Sequence, residues 1–246
     1  MALPSGRQVT IYVPASVRAR RRRRYPLLIL HDGQNLFDPD RAYVRGEHWR
    51  VKEAVDELIA ARRIPPIIIC GVDHGGAGRL QEMTPTPGSK GEGGGAEAYT
   101  RLLADEVLPL MRREFPVTHD RGQVGLGGAS LGGLVTLFAA TQRPDLFGKL
   151  LVMSPSVWWD RGVILKVIAR HPDAFAGRRI WVDIGLREGV NAVANTRRLI
   201  RTLKRLKLPP GAAAPEVKYV EDASGDHSER AWGTRLPRSL IHLFGA

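Results

Sequence analysis

The chain has 246 residues, of which 43% are apolar, so it can bury a large core and needs neither a disulfide nor a metal to fold. We expect a single domain spanning residues 1–246. The sequence contains no signal peptide and no run of 18 apolar residues, which predicts a cytoplasmic protein without a membrane span. The only cysteine, Cys70, lies in an apolar run and predicts a buried side chain. The composition leaves the oligomeric state open.

The formal net charge of +12 raises the question of a nucleic-acid partner. Part of the charge is concentrated in five consecutive arginines at positions 20–24. Such a run attracts phosphate, but it has no interleaved aromatic residues, and no nucleic-acid-binding motif accompanies it. We interpret the run as a solvated connection between two strands and expect no nucleic-acid partner. Nucleic-acid binding through the run is kept as an alternative.

Segments typical of strands and helices alternate along the chain. Short, fully apolar runs such as residues 27–30 are typical of strands covered on both faces of a sheet. Strands are predicted at residues 9–13, 27–30, 66–72, 123–126, 150–153, 180–184 and 217–220. Helices are predicted at residues 51–59, 102–111, 131–141, 194–206 and 232–244. This alternation predicts an α/β fold, with a mainly parallel sheet and helices on both faces.

One long segment, residues 75–95, is rich in glycine and proline. It follows the predicted strand at 66–72 and therefore lies at the carboxyl edge of the sheet, where open α/β sheets bind ligands. We interpret it as an active-site loop or lid, with an inert connector as the alternative.

The sequence Gly-Ala-Ser-Leu-Gly at positions 128–132 matches the pattern Gly-x-Ser-x-Gly. It lies between a predicted strand and a predicted helix, as a nucleophile elbow requires. The turn would expose the hydroxyl of Ser130, and the backbone N–H of Leu131 would supply one donor of an oxyanion hole. A purely structural glycine-rich turn is the alternative.

A serine hydroxyl needs a neighbouring base, usually a histidine oriented by a carboxylate. His227 lies between the last predicted strand and the last predicted helix, which suits the chain order serine, acid, histidine. Glu188, beyond the end of the strand at 180–184, is the preferred acid. Asp183, within that strand, is the alternative, and a Ser–His dyad without an essential carboxylate is a third possibility.

The loop after the second predicted strand has the sequence His-Asp-Gly-Gln-Asn at positions 31–35. We expect Gly33 or Gln34 to supply the second oxyanion N–H, and spacing alone does not choose between them. His31 ends the strand beside this loop and is predicted to line the site.

Five segments together resemble the Putative esterase family, which includes enterochelin esterases, esterase D and feruloyl esterases. They occur in the order expected for that family and extend over nearly the whole chain. Their sequences are YPLLILHDGQNLFD at 25–38, EMTPT at 82–86, GGASLGGL at 127–134, SPSVWW at 154–159 and DHSERAW at 226–232.

The resemblance implies an α/β-hydrolase core without a large cap, acting on small carboxylic esters through an acyl-enzyme. It also supports Glu188 as the acid, and it implies no metal and no organic cofactor. Trp158 and Trp159 are candidates to wall the substrate pocket, with core packing as the alternative. Arg79 is a candidate to bind an anionic or catecholate group. An acyltransferase and a non-catalytic binding protein on the same fold are the rival interpretations.

Overall fold

A computed structural model describes residues 1–19 and 23–245, and seven strands form its central sheet. The strands are β1 (Val9–Tyr12), β2 (Leu27–His31), β3 (Ile68–Val72), β4 (Val124–Ala129), β5 (Lys149–Met153), β6 (Arg179–Gly185) and β7 (Glu216–Asp222). Their order across the sheet is β1-β3-β2-β4-β5-β6-β7. β1 is antiparallel to β3, and the other pairs of neighbours among these strands are parallel.

Nine α-helices in the described part of the chain surround the sheet. They are α1 (Ala15–Ala19), α2 (Val51–Ala60), α3 (Arg79–Met83), α4 (Ala96–Leu102), α5 (Leu108–Glu114), α6 (Leu131–Gln142), α7 (Val163–Arg170), α8 (Val190–Lys204) and α9 (Glu229–Phe244). A π-helical turn, Leu103–Val107, joins α4 to α5. α2 and α9 pack on one face of the sheet, and α4 to α8 pack on the other.

Alternation along the strands explains why the central ones are apolar throughout. In β2, Leu27 and Ile29 belong to one hydrophobic core cluster, whereas Leu28 and Leu30 belong to the cluster on the opposite face. Side chains of a strand alternate between faces, so a strand covered on both sides needs apolar residues at every position. The mainly parallel sheet with helices on both faces is therefore confirmed.

The two outer strands of the sheet differ from the central ones. β7 is only partly covered, and its residues Glu216 and Lys218 are exposed. β1, at the other edge, has one buried and three partly buried residues.

Several predicted boundaries needed correction. β4 runs on to Ala129 and therefore leads directly into Ser130. α9 begins three residues earlier than predicted because the side chain of Ser228 caps it, accepting a hydrogen bond from the backbone N–H of Ala231. The helices α1, α3 and α7 were not predicted at all.

Three further predictions concern the cysteine, the run of arginines and a membrane span. Cys70 is fully buried, as predicted, and burial raises the pKa of its thiol to about 12. In the run of arginines, residues 20–22 lie outside the described part of the chain, while Arg23 and Arg24 are exposed. Within residues 1–19 and 23–245, no helix has the length and apolar character needed to cross a membrane.

Candidate active site

Ser130 occupies a one-residue turn between β4 and α6. Its backbone dihedrals, φ 57° and ψ −120°, lie in a sparsely populated region for a residue with a side chain. Its N–H donates to the carbonyl oxygen of Met153 on the neighbouring strand, at 3.0 Å. The turn is therefore fixed to the sheet, and its strain has the form expected of a nucleophile elbow.

The flanking glycines of the motif allow another loop to approach the elbow. A Cβ atom at Gly128 would lie 3.0 Å from Cδ2 of His31 and 3.2 Å from Cα of Gly132. A side chain at Gly128 would therefore push the end of β2 away from the elbow. The Gly-x-Ser-x-Gly spacing thus has a packing cause in this chain.

The imidazole of His227 lies between the hydroxyl of Ser130 and the carboxylate of Glu188. Its Nε2 is 3.0 Å from Ser130 Oγ, and its Nδ1 is 2.6 Å from Glu188 Oε2. Glu188 is almost wholly buried, whereas His227 is about half exposed. The structure therefore brings the three residues together in the order serine, histidine, carboxylate.

The three residues come from loops that follow parallel strands at the carboxyl edge of the sheet. Glu188 ends a short 3-10 helix, Leu186–Glu188, directly after β6, and its Oε1 accepts a hydrogen bond from the N–H of Gly185 at 2.8 Å. His227 lies between β7 and α9, where its ring meets the indole of Trp232 edge-on at 4.9 Å between centroids. This contact fixes one face of the imidazole.

Asp183, the alternative acid, is placed elsewhere. It is fully buried within β6, and its carboxylate accepts hydrogen bonds from Trp181 Nε1 at 2.7 Å and Arg235 Nε at 3.1 Å. Burial raises the pKa of Asp183 to about 6, although Arg235 acts in the opposite direction. The carboxylate that meets His227 is that of Glu188.

Ser130 and His227 line a cavity of about 530 Å³. Its wall contains apolar and aromatic side chains from four segments of the chain together with a small polar group. The apolar and aromatic members are Tyr43, Val44, Trp49, Ala77, Leu80, Ala129, Leu131 and Trp232, and the polar members are Asp32, Asn35, His74, Arg79 and Glu229. A concave, mainly apolar site with a few convergent polar groups is the usual form of a small-molecule pocket.

Arg79 lies in this cavity, where it pairs with Asp32. Its Nε and Nη2 donate to the two carboxylate oxygens at 2.7 and 2.8 Å. In the same lining, Asn35 donates to Glu229 at 3.0 Å. Burial raises the pKa of Glu229 and lowers that of His74, which favours the neutral form of each in the cavity.

The structure does not place His31 at the wall of the site, where the sequence predicts it. His31 is fully buried and does not line the cavity. Its Nδ1 lies 3.0 Å from the hydroxyl of Tyr99, and its Nε2 lies 3.1 Å from that of Thr136. Burial lowers the pKa of His31 to about 4, so the ring is neutral at neutral pH. It joins the end of β2 to α4 and α6.

Neither Trp158 nor Trp159 is among the residues that line the cavity, and their role as walls of the substrate pocket stays a prediction. Trp159 is buried, and its Nε1 donates to the carbonyl oxygen of Thr86 at 3.0 Å. Trp158 is 57% exposed and packs against Trp159. Trp159 therefore anchors the glycine-rich segment 75–95 to the body of the protein.

The candidate oxyanion donors belong to two separate segments, α6 and the turn after β2. Leu131 is the first residue of α6 and lines the cavity. Gly33 and Gln34 belong to a 3-10 turn after β2, and neither lines the cavity. The side-chain oxygen of Gln34 accepts a hydrogen bond from the N–H of His74 at 3.4 Å. The choice of the second donor stays a prediction.

Sequence reasoning missed several residues of the site. Ser156 Oγ lies 3.2 Å from Ser130 Oγ, and Trp49 and Trp232 pack together at 6.0 Å between ring centroids. Asn35 follows β2, and its position after a strand end was the available signal for a role at this edge.

Within the described ranges, no three His, Cys, Asp or Glu side chains are arranged to hold a metal ion.

The open parallel sheet and the strained serine between β4 and α6 define an α/β-hydrolase. The family model described as "Putative esterase" matches residues 1–243, so the chain belongs to this family. This membership places the chain among carboxylic ester hydrolases and confirms the resemblance read from the sequence.

Among curated relatives, the chain is 32% identical over 155 residues to the iron(III) salmochelin esterase of Escherichia coli O6:H1, a match that covers 62% of this chain and 33% of the relative. It is 24% identical over 248 residues to the iron(III) enterobactin esterase of the same strain, covering 98% of this chain and 54% of the relative. The chain thus spans about a third to a half of the length of these two esterases.

A solved structure with a similar fold is that of the BES protein from Bacillus cereus. It superposes with a TM-score of 0.76 at 22% sequence identity, covering 99% of this chain and 92% of the other. The similarity supports the α/β-hydrolase fold across the whole described chain.

Proposed function

We propose that this protein is a serine carboxylic-ester hydrolase in which Ser130, His227 and Glu188 form the catalytic triad. The observation that carries the proposal is the pair of contacts made by one imidazole, 3.0 Å from Ser130 Oγ and 2.6 Å from Glu188 Oε2. A ring whose Nδ1–H donates to a carboxylate presents a free Nε2 lone pair to the serine. The arrangement therefore has a nucleophile, a base and a group that orients the base.

The reaction follows from these positions. Ser130 Oγ attacks the ester carbonyl while His227 Nε2 accepts its proton, and the imidazolium then protonates the departing alcohol. Water attacks the resulting acyl-enzyme, with His227 again accepting and returning a proton. Glu188 stabilises the imidazolium in both steps. The N–H of Leu131 and an N–H of the turn containing Gly33 and Gln34 would hold the carbonyl oxygen as it becomes negative.

The cavity suits a small-molecule ester, since aromatic and aliphatic side chains form most of its wall. Two relatives are named as esterases of iron siderophores. Siderophore lactones therefore belong in a substrate panel beside acetyl, butyryl and feruloyl-type esters. Adding an alcohol to the reaction tests acyl transfer, because a transferase would form a new ester in place of the free acid.

Replacing Ser130 tests the proposal directly. Ser130→Ala should abolish hydrolysis of p-nitrophenyl butyrate and labelling by a fluorophosphonate, without unfolding the protein. Ser239→Ala is a matched control, because Ser239 is a buried serine of α9 whose hydroxyl donates to the carbonyl oxygen of Leu236. Full hydrolysis by folded Ser130→Ala would contradict the proposal. Failure of the wild type to hydrolyse esters or to take the label would favour the non-catalytic alternative.

A further inference from the structure

Behind the triad, a group of buried polar side chains surrounds Glu188. Glu188 Oε1, the oxygen that does not face His227, accepts a hydrogen bond from Ser154 Oγ at 2.5 Å. Ser154 follows directly after β5 and is buried, and it does not line the cavity beside Ser130. Its hydroxyl therefore contacts the proposed catalytic acid through the oxygen that is not bonded to His227.

The direction of this hydrogen bond is dictated by two other contacts. Trp232 Nε1 lies 3.0 Å from Ser154 Oγ, and Arg235 Nη2 lies 2.9 Å from it. Indole and guanidinium nitrogens only donate, so both fill lone pairs of the hydroxyl. The one proton of Ser154 is then left for the carboxylate, which only accepts when it is ionised.

The backbone of Ser154 is held in an unusual conformation to make this contact. Its φ of 43° lies in the left-handed region, which residues with a side chain rarely adopt. Its N–H donates to the carbonyl oxygen of Asp183 on β6 at 2.9 Å, which continues the pairing of β5 with β6 past the strand end. Strain of this kind persists where the surrounding structure holds a group in a required place.

Arg235 extends the arrangement to a second acid. Its Nε donates to Asp183 at 3.1 Å, its Nη2 lies 3.6 Å from Glu188 Oε1, and its side chain is 3% exposed. Arg235 is therefore a buried cation between two buried carboxylates, those of Asp183 and Glu188. It also donates to the hydroxyl of Ser154 and so orients it.

We propose that Ser154 is a positioning residue for the hydrolysis reaction, which holds the carboxylate of Glu188 toward His227 through a hydrogen bond oriented by Trp232 and Arg235. The inference rests on the proposed function, because it assigns Ser154 a part in orienting that same acid. Without the Ser154 hydroxyl, Glu188 Oε1 loses the shorter of the two hydrogen bonds that it accepts from Ser154 and Gly185. In the described part of the chain, the N–H of Gly185 is then the remaining donor at hydrogen-bonding distance from that oxygen.

The test compares Ser154→Ala with wild-type protein in steady-state ester hydrolysis. Active sites are titrated with a fluorophosphonate, so that kcat is expressed for each folded site. Loss of a hydrogen bond to a charged group predicts a kcat lower by about tenfold to a hundredfold. KM should stay within about twofold, because Ser154 does not line the cavity. Ser239→Ala should leave both constants within about twofold of wild type.

A second variant separates positioning from folding. Ser154→Gly also removes the hydroxyl but relieves the strain of a positive φ, so it should be more stable than Ser154→Ala while keeping the same low kcat. Wild-type kcat in either folded variant would overturn the inference, and so would a defect confined to KM. Ser130→Ala distinguishes the two proposals: if it retains hydrolysis, the proposed function fails, whatever Ser154 does.

Discussion

Arg79 binds Asp32 through two parallel hydrogen bonds, from Nε at 2.7 Å and from Nη2 at 2.8 Å, within the cavity that Ser130 lines. The cation that the sequence offered as a partner for an anionic substrate group is therefore already matched by a protein carboxylate. A pair of this geometry, with 28% of the arginine side chain and 11% of the aspartate side chain exposed, also joins α3 to the loop after β2.

Removal of Arg79 should therefore destabilise the fold. Arg79→Met leaves the mostly buried carboxylate of Asp32 without its donor and should lower the free energy of unfolding by about 1–3 kcal/mol in urea titrations. Arg45→Met is the matched control, since Arg45 and Asp40 form an exposed pair at 3.4 Å whose loss should cost less than about 0.5 kcal/mol. Equal effects of the two substitutions would contradict the prediction, and adding Asp32→Asn should recover part of the loss.

The two candidate acids should respond in opposite ways to amide substitution. Glu188→Gln removes the charge that faces His227 and should lower kcat by about a thousandfold or more. Asp183→Asn removes the buried carboxylate that accepts the hydrogen bond from Arg235 Nε, so it should cost about 3 kcal/mol of stability but change kcat by less than about tenfold. Ester hydrolysis and urea unfolding of both variants measure the contrast, and a larger kcat defect in Asp183→Asn would reverse the assignment.

His31 should make the folded state sensitive to acid. Burial lowers the pKa of its imidazole to about 4, whereas an unfolded chain protonates histidine near 6.5. Between these values the unfolded state binds a proton that the folded state does not. The stability contribution is therefore complete above about pH 6.5 and is lost as the pH falls toward 4, and it amounts to about 3 kcal/mol.

His31→Gln provides the comparison, since glutamine has no charge to gain over this range. The difference in unfolding free energy between the wild type and the variant should narrow as the pH is lowered from 7 to 4. Asp183, whose pKa burial raises to about 6, acts in the opposite sense but is present in both proteins and cancels in the difference. A difference that does not change with pH would show that His31 does not contribute in this way.

Trp159 should control the mobility of the glycine-rich segment 75–95. Trp159→Phe keeps an aromatic ring but loses the hydrogen bond to the carbonyl oxygen of Thr86. Amide hydrogen exchange across residues 84–95 should accelerate by about tenfold, in line with the loss of one buried hydrogen bond. Trp158→Phe, at an exposed neighbouring indole, should leave exchange unchanged. Equal exchange rates in Trp159→Phe and Trp158→Phe would show that Trp159 does not limit the mobility of this segment.

Most of the fold was predictable because its strands and helices have strong periodic patterns. The run at 27–30 is apolar at every position, and a strand covered by helices on both faces requires this. α7 was missed because five of its eight residues are apolar Val, Ile or Leu, a composition that suits a buried strand as well as a helix. Three consecutive residues with positive φ, 160–162, precede it and redirect the chain, which periodicity does not reveal.

The candidate site was predictable where a short local motif identifies a single residue. Ser130 lies in a short pattern whose spacing has a packing cause. Chain order along the sheet predicts His227 as the base and an acid at or after the strand at 180–184, with Glu188 preferred and Asp183 as the alternative. The contacts of Ser154 with Arg235 connect residues 81 positions apart, and no local pattern contains them. One signal was available: Arg235 lies three residues after Trp232 and one before Leu236, on the buried face of α9.

The strand that precedes His227, β7, is also one of the two edge strands of the sheet. Open strand edges invite pairing with other chains, and proteins discourage this with charged side chains at exposed positions. Glu216 and Lys218 provide such charges on β7. A strand from another molecule that paired with β7 would have to accommodate both charged side chains, so self-association by sheet extension is disfavoured at this edge. Because β7 leads into the segment that contains His227, these two charges also protect from aggregation a strand that positions this residue.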